Sequence, residues 1–210
     1  MPTNIPTKPP QRGGWKKLPE AVRRRMILDA ARTCFGKRGY AETSVQDIAD
    51  AAAMTKGGVY FHFPSKEAIR DTLIAEFTDS TRFGLDDPEI TRLPPAQRLR
   101  HQAERLLTGL EVDGNGAIVT LAEAATRYGA GLADIGNFFK SVRTSIAATI
   151  EAGQQDGVFR RDADTDLLAE LVITTVDGLA LHHELDAAGL NMCSGPGRLL
   201  DLIVSSVMTG

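Results

Sequence analysis

From Glu20 onward, apolar residues recur every three to four positions rather than every second one. Val22, Met26, Ile27, Ala30, Ala31, Cys34 and Phe35 fall on one face of a helix over 20–37, which Gly39 is expected to end. Cys34, on that face, reads as a small core residue rather than a reactive thiol. Thr43-Ser44-Val45-Gln46 has the form of a capping box, with Thr43 as N-cap and Gln46 at the third helical position. The short helix behind it buries Val45, Ile48, Ala49 and Ala52. Only Ala53 and Met54 separate it from the next polar start, Thr55-Lys56. This third segment, Thr55 to Phe61, contains Gly57 and Gly58, each costing about 1 kcal/mol relative to alanine inside a helix. Helix propensity therefore does not account for them.

Ser65 opens a fourth helix whose apolar positions Ile69, Leu73, Ile74 and Phe77 carry the period to about Leu85. A linker with prolines at 88, 94 and 95 follows. Five further helices are expected, at about 96–111, 115–128, 132–156, 165–188 and 196–208, each bounded by turn residues. No useful strand-period run appears, so the fold class is all-α with about nine helices. The chain divides into a Pro-rich arm over 1–19, a head over 20–66 and a body over 67–210.

Charge sharpens this division. Residues 1–66 hold twelve Lys and Arg against five Asp and Glu, whereas 67–210 hold twelve against twenty-two. A basic head on an acidic body points to a polyanion at the head, with a merely solvated basic face as the plain alternative. The arm adds Arg12, Lys16 and Lys17, which could follow a phosphate backbone. It lacks the apolar stretch of a secretory signal, and no window is long enough for a membrane span. A cytoplasmic protein without membrane contact is expected. Two cysteines are too few for a disulfide framework or a four-cysteine zinc site.

Two short helices joined by a tight turn, starting at Thr43 and Thr55, make a helix-turn-helix with the 20–37 helix as their support. Its second helix must bring its N-terminal backbone close to DNA, and Gly57 and Gly58 remove side chains that would obstruct that approach. Ser44, Thr55 and Lys56 stand at helix N-termini, where free N–H groups favour phosphate. Tyr60, His62 and Lys66 extend the polar rim. Phe61 and Phe63 are read as core.

The ordered string Ile27-Leu28-Asp29-Ala30-Ala31, Phe35-Gly36-Lys37-Arg38-Gly39-Tyr40, Thr43-Ser44-Val45-Gln46-Asp47-Ile48-Ala49, Thr55-Lys56-Gly57-Gly58-Val59-Tyr60-Phe61-His62-Phe63 and Ser65-Lys66-Glu67-Ala68-Ile69 closely resembles the TetR family of transcriptional regulators. The resemblance covers about residues 20–75. It implies that Thr43 and Ser44 cap the second helix and touch phosphate. Thr55, Lys56, Gly57 and Gly58 would lie at the groove, and Tyr60, His62 and Lys66 would anchor phosphates. The implied function is a homodimeric regulator, a repressor released from a palindromic double-stranded DNA operator by an unidentified small-molecule effector. An activator, a member controlled by a protein partner, and a helical ligand-binding protein or enzyme that keeps the head are the alternatives.

Body helices extend this reading. Leu167, Leu168, Leu171, Val172, Thr175, Val176 and Leu179, with Leu199, Leu200, Ile203 and Val207, form broad apolar stripes assigned mainly to a four-helix dimer interface. One large internal core is the other reading and takes part of each stripe. The resemblance places an effector pocket among the middle helices, with Phe138, Phe139 and Val142 as apolar lining. Glu123, Arg127, Tyr128 and His182 are the polar candidates there. Adjacent residues of His182-His183-Glu184 point about 100° apart on a helix, so no metal site is expected. No phosphate loop, nucleophile elbow or zincin motif is present, and neither cofactor nor catalysis is expected.

Overall fold

The computed structural model of the chain describes residues 18–79, 83–112, 127, 129, 131–162, 164–185 and 195–209. Nine helices lie among these residues: α1 (Glu20–Glu42), α2 (Val45–Ala51), α3 (Lys56–His62), α4 (Lys66–Thr78), α5 (Pro88–Thr91), α6 (Pro95–Val112), α7 (Leu132–Gln155), α8 (Thr165–Leu185) and α9 (Gly195–Val207). Among them no strand forms, only one isolated antiparallel bridge between Phe159 and Met208. The all-α expectation holds, although the helix inventory differs from the one expected. The segment 115–128 lies outside the described residues apart from Arg127. One helix arises in the expected linker instead, where Pro88 occupies the first turn of α5 and Asp87 caps it by accepting from the Glu89 N–H at 2.9 Å.

Two hydrophobic clusters organise the chain. The head cluster gathers Ile27, Ala31 and Phe35 of α1, Ile48 and Ala49 of α2, Val59 of α3 and the adjoining Phe63. The body cluster joins α6 (Leu99, Ala103), α7 (Val142, Ile146, Ile150), α8 (Val172, Val176) and α9 (Val207). The two meet within α4, whose Ile69, Leu73 and Ile74 belong to the head and whose Phe77 belongs to the body. This helix ends at Thr78 rather than near Leu85. Phe83 and Leu85, expected to continue it, are instead buried in the body beyond its end.

Helix α7 completes the joint. Ile135, in its first turn, packs on the head cluster, and a Cβ at Gly131 would lie 2.8 Å from Ile74. Gly131 also has φ +76°, so both backbone angle and space require glycine there.

Several body residues assigned to the dimer face lie inside the single chain. Leu168, Val172, Ile203 and Val207 are buried in the body cluster, while Thr175 and Leu179 are half-buried. The stripes were broad because they serve the internal core first. Leu171 is exposed, and the side chains of Leu199 and Leu200 lie outside the described residues. Of the pocket candidates, Phe138 and Val142 are also buried in the core, and Phe139 packs half-buried against it. Arg127 is exposed. Glu123, Tyr128 and the side chain of His182 lie outside the described residues.

The turn between α2 and α3 sets the direction of α3. Met54 N–H donates to Ala49 O at 2.8 Å and Ala53 N–H to Asp50 O at 3.1 Å, the paired bonds of a Schellman ending. That ending requires a left-handed residue, here Ala53 with φ +54°, a position usually given to glycine. Left-handed geometry costs an L-residue roughly 1–2 kcal/mol, against roughly 0.4–1 kcal/mol of chain entropy that a glycine loses on folding. Ala53→Gly is therefore expected to raise stability by about 0.5–1 kcal/mol in urea denaturation, and Ala53→Val to lower it.

Candidate nucleic-acid interface

Helix α3 is short and held from outside itself. Thr55 caps it, its Oγ1 accepting from the Gly58 N–H at 3.0 Å. Val59 is fully buried, and the chain after the helix anchors through buried Phe63. At the far end, Arg24 of α1 donates from Nη1 to His62 O at 2.7 Å, and its guanidinium lies 4.2 Å above the Phe63 ring. A cation at a helix C-terminus is favourable, so α1 both supports and closes α3.

The outward arc consists of Lys56, Gly57, Tyr60 and Phe61, all exposed. Lys56 Nζ stands 6.0 Å from the Tyr60 ring centroid. The two glycines have different physical reasons. A Cβ at Gly57 would meet nothing within 4 Å, so this position leaves bare backbone facing outward. A Cβ at Gly58 would sit 3.2 Å from Thr55 Oγ1 and 3.7 Å from Met54 Cε, so Gly58 serves the cap as much as any approach to a ligand.

The start of α2 differs from expectation by one residue. Ser44, not Thr43, is the N-cap, and Asp47, not Gln46, completes the box. Ser44 Oγ accepts from the Asp47 N–H at 3.1 Å, and Asp47 Oδ2 accepts from the Ser44 N–H at 2.8 Å. Hydrogen bonds from the Ser44 hydroxyl and backbone hold the Asp47 carboxyl below its ordinary value, and Arg38 at 2.7 Å assists. Thr43 is buried instead. Its hydroxyl is shared between Gly39 O at 2.8 Å and Cys34 O at 3.2 Å, beside the point where Gly39 (φ +79°) breaks α1.

Residues 27–73 match the family described as bacterial regulatory proteins, tetR family. The repressor DhaR of Mycobacterium sp. (strain GP1) is 30% identical over 166 residues, covering 78% of this chain and 83% of that protein. The repressor KstR2 of Rhodococcus jostii (strain RHA1) is 31% identical over 151 residues, covering 69% and 72%. The chain belongs to the TetR family. Among solved structures, the ketosteroid transcriptional regulator KstR2 of Mycobacterium tuberculosis superposes with a TM-score of 0.73 at 25% identity, over 90% of this chain and 96% of that one. The protein is a DNA-binding transcriptional regulator, and the arc just described belongs to its helix-turn-helix.

Three residues given to phosphate by the resemblance have other work in this TetR-family chain. Thr43 is buried, as above. Lys66 donates from Nζ to Thr43 O at 2.8 Å, Tyr40 O at 2.9 Å and Ala41 O at 3.3 Å, which occupies all three ammonium hydrogens at the end of α1. Its charge also lies 4.4 Å from the Tyr40 ring centroid. His62 points inward, 8% exposed, with a buried Nδ1 that has no hydrogen-bond partner. Phe61, read as core, is 78% exposed. The pattern was available in the sequence: from Val59, helical spacing selects 62 and 63 for the interior, not 61.

Burial pushes the His62 imidazole below the ordinary histidine value; Arg23 and Arg24 push the same way and Glu20 opposes. The unfolded chain therefore binds a proton here more readily than the folded one. Stability is present above the unfolded value of about 6.5 and falls as pH drops through it toward the lower folded value. Denaturation midpoints measured between pH 8 and 5 should decline less steeply for His62→Gln than for the wild type. Equal slopes would remove His62 as the cause.

Proposed function

We propose that the protein is a cytoplasmic homodimeric repressor that leaves a palindromic operator when a small-molecule effector binds its body. The observation that carries the DNA-binding surface is the division of α3, with Val59 and His62 inside and Lys56, Gly57, Tyr60 and Phe61 outside. The proposed contacts are Ser44 at the start of α2, Thr55, Lys56, Gly57 and Gly58 at the start of α3, and Tyr60. Free N–H groups at the two helix starts and the Lys56 charge meet phosphate, and bare Gly57 allows close approach of the backbone. The sign of regulation is supported by the curated relatives, which are named repressors. No step in this function is catalytic.

Dimerisation is supported by what the single chain leaves uncovered. Leu167 and Leu171 are 70% and 46% exposed on α8, Thr174 lies exposed one turn on, and a Cβ at Gly178 would meet nothing within 4 Å. These positions, at spacings of four, three and four, share the face opposite Val172 and Val176. Leu202 of α9 adds a 65% exposed side chain. Covering a leucine is worth roughly 1.5–3 kcal/mol, and two-fold symmetry doubles each contribution. Two symmetry-related α3 helices then require half-sites about one DNA turn, or a multiple, apart.

The effector acts through α4, which spans both clusters. Glu76 on this helix pairs with Arg32 and, at 3.5 Å, with Arg25 of α1. A body that moves α4 therefore moves the head with it, and the effector releases DNA only by binding the non-DNA arrangement more tightly.

Lys56→Ala combined with Tyr60→Ala should reduce operator affinity severely and flatten its salt dependence, with the dimer intact by sedimentation. Unchanged affinity across a salt series would reject the assigned face. Leu171→Asp with Leu202→Asp should yield monomers by sedimentation; a persistent dimer would reject the α8–α9 interface.

A further inference from the structure

The outward face of α3 carries one side chain that neither charge nor hydrogen bonding explains. Phe61 is 78% exposed, more than any other large hydrophobic residue among those described. A phenyl ring has no donor, acceptor or charge, so it cannot bind phosphate or read base edges by hydrogen bonds. The ring is nevertheless held in place. It meets the ring of His62 edge to face, with centroids 5.1 Å apart and planes at 88°, and His62 is itself buried. At 100° per residue, Tyr60 and Phe61 flank Gly57, where the backbone faces open space. Seven residues of helix span only about 10 Å, less than the roughly 12 Å width of the major groove, so Phe61 stays within the groove that receives Thr55 and Lys56. The apolar group that base pairs display there is the 5-methyl of thymine.

We propose that Phe61 is a specificity-determining residue that reads a thymine 5-methyl in the major groove. The proposal rests on α3 docking in that groove and adds which base its C-terminal half selects. The exposed ring is buried against the methyl on binding. A cytosine at the same place offers no methyl, and its amino donor meets a ring that cannot accept it.

The test uses an operator selected from random duplex DNA by the wild-type chain. Each thymine is replaced in turn by deoxyuridine, which removes only the methyl, and binding is titrated at fixed salt for wild type, Phe61→Ala and Phe61→Leu. At one thymine per half-site the wild type should lose about four-fold in affinity per methyl removed. Phe61→Ala should bind the thymine and deoxyuridine duplexes alike, and Phe61→Leu should keep part of the difference. Because Phe61 is exposed, all three chains should share one thermal midpoint. Equal sensitivity of wild type and Phe61→Ala at every thymine, or no sensitivity in either, would overturn the proposal while leaving groove docking intact. Failure of the wild type to select any duplex would overturn the docking itself.

Discussion

A seven-residue helix with adjacent glycines does not hold its own shape in water, where isolated helices shorter than roughly 12–15 residues are marginal. That shape is imposed on α3 from behind by α2, against which it packs, and by α1 through the shared head core and Arg24. The two glycines cost about 1 kcal/mol each. Against this, full burial of Val59 and of Phe63 contributes roughly 1.5–3 kcal/mol apiece, and the Thr55 cap about 1 kcal/mol more. Packing outweighs propensity here. The same packing leaves Lys56, Gly57, Tyr60 and Phe61 facing outward, because a helix pinned by Val59 and His62 has no other way to turn.

Lys66 and Arg24 illustrate how the head uses its positive charge. Lys66, which the resemblance would send to phosphate, closes the end of α1, and Arg24, another basic residue of the head, closes the end of α3. The basic balance of the head is thus partly structural. What faces outward on α3 is a single lysine beside two aromatic rings and a bare stretch of backbone. Such a surface combines phosphate attraction with apolar contact, and the two respond differently to salt. Helix α4 then ties this head to the body, since its buried side chains change allegiance from one cluster to the other between Ile74 and Phe77.

Much of the fold was legible in the sequence because helical periods, caps and turn residues agree with one another over the head and most of the body. The discrepancies are local and have physical reasons. Thr43 and Ser44 are both good caps, and the cap falls to Ser44 because Thr43 is buried with its hydroxyl turned onto the Gly39 and Cys34 carbonyls. Phe61 and His62 reverse the roles that hydrophobicity alone suggests, because spacing from Val59 turns residue 62 inward and residue 61 outward. The α8 stripe could not be divided in advance, since Leu167, Leu168, Leu171 and Val172 are all apolar and only tertiary packing separates the buried pair from the exposed one. Nothing in the sequence marks Lys66 as a helix-closing residue, because its three carbonyls come from 23 to 26 residues away.

The central claim is that the outward face of α3 enters the major groove. Dimethyl sulfate interference on a selected operator tests it directly, because guanine N7 lies in the major groove and adenine N3 in the minor. The account predicts that N7 methylation blocks binding in two stretches centred about one helical turn, or a multiple, apart, and that adenine N3 methylation within those stretches does not. Interference confined to adenine N3, or spread evenly along the duplex, would contradict it.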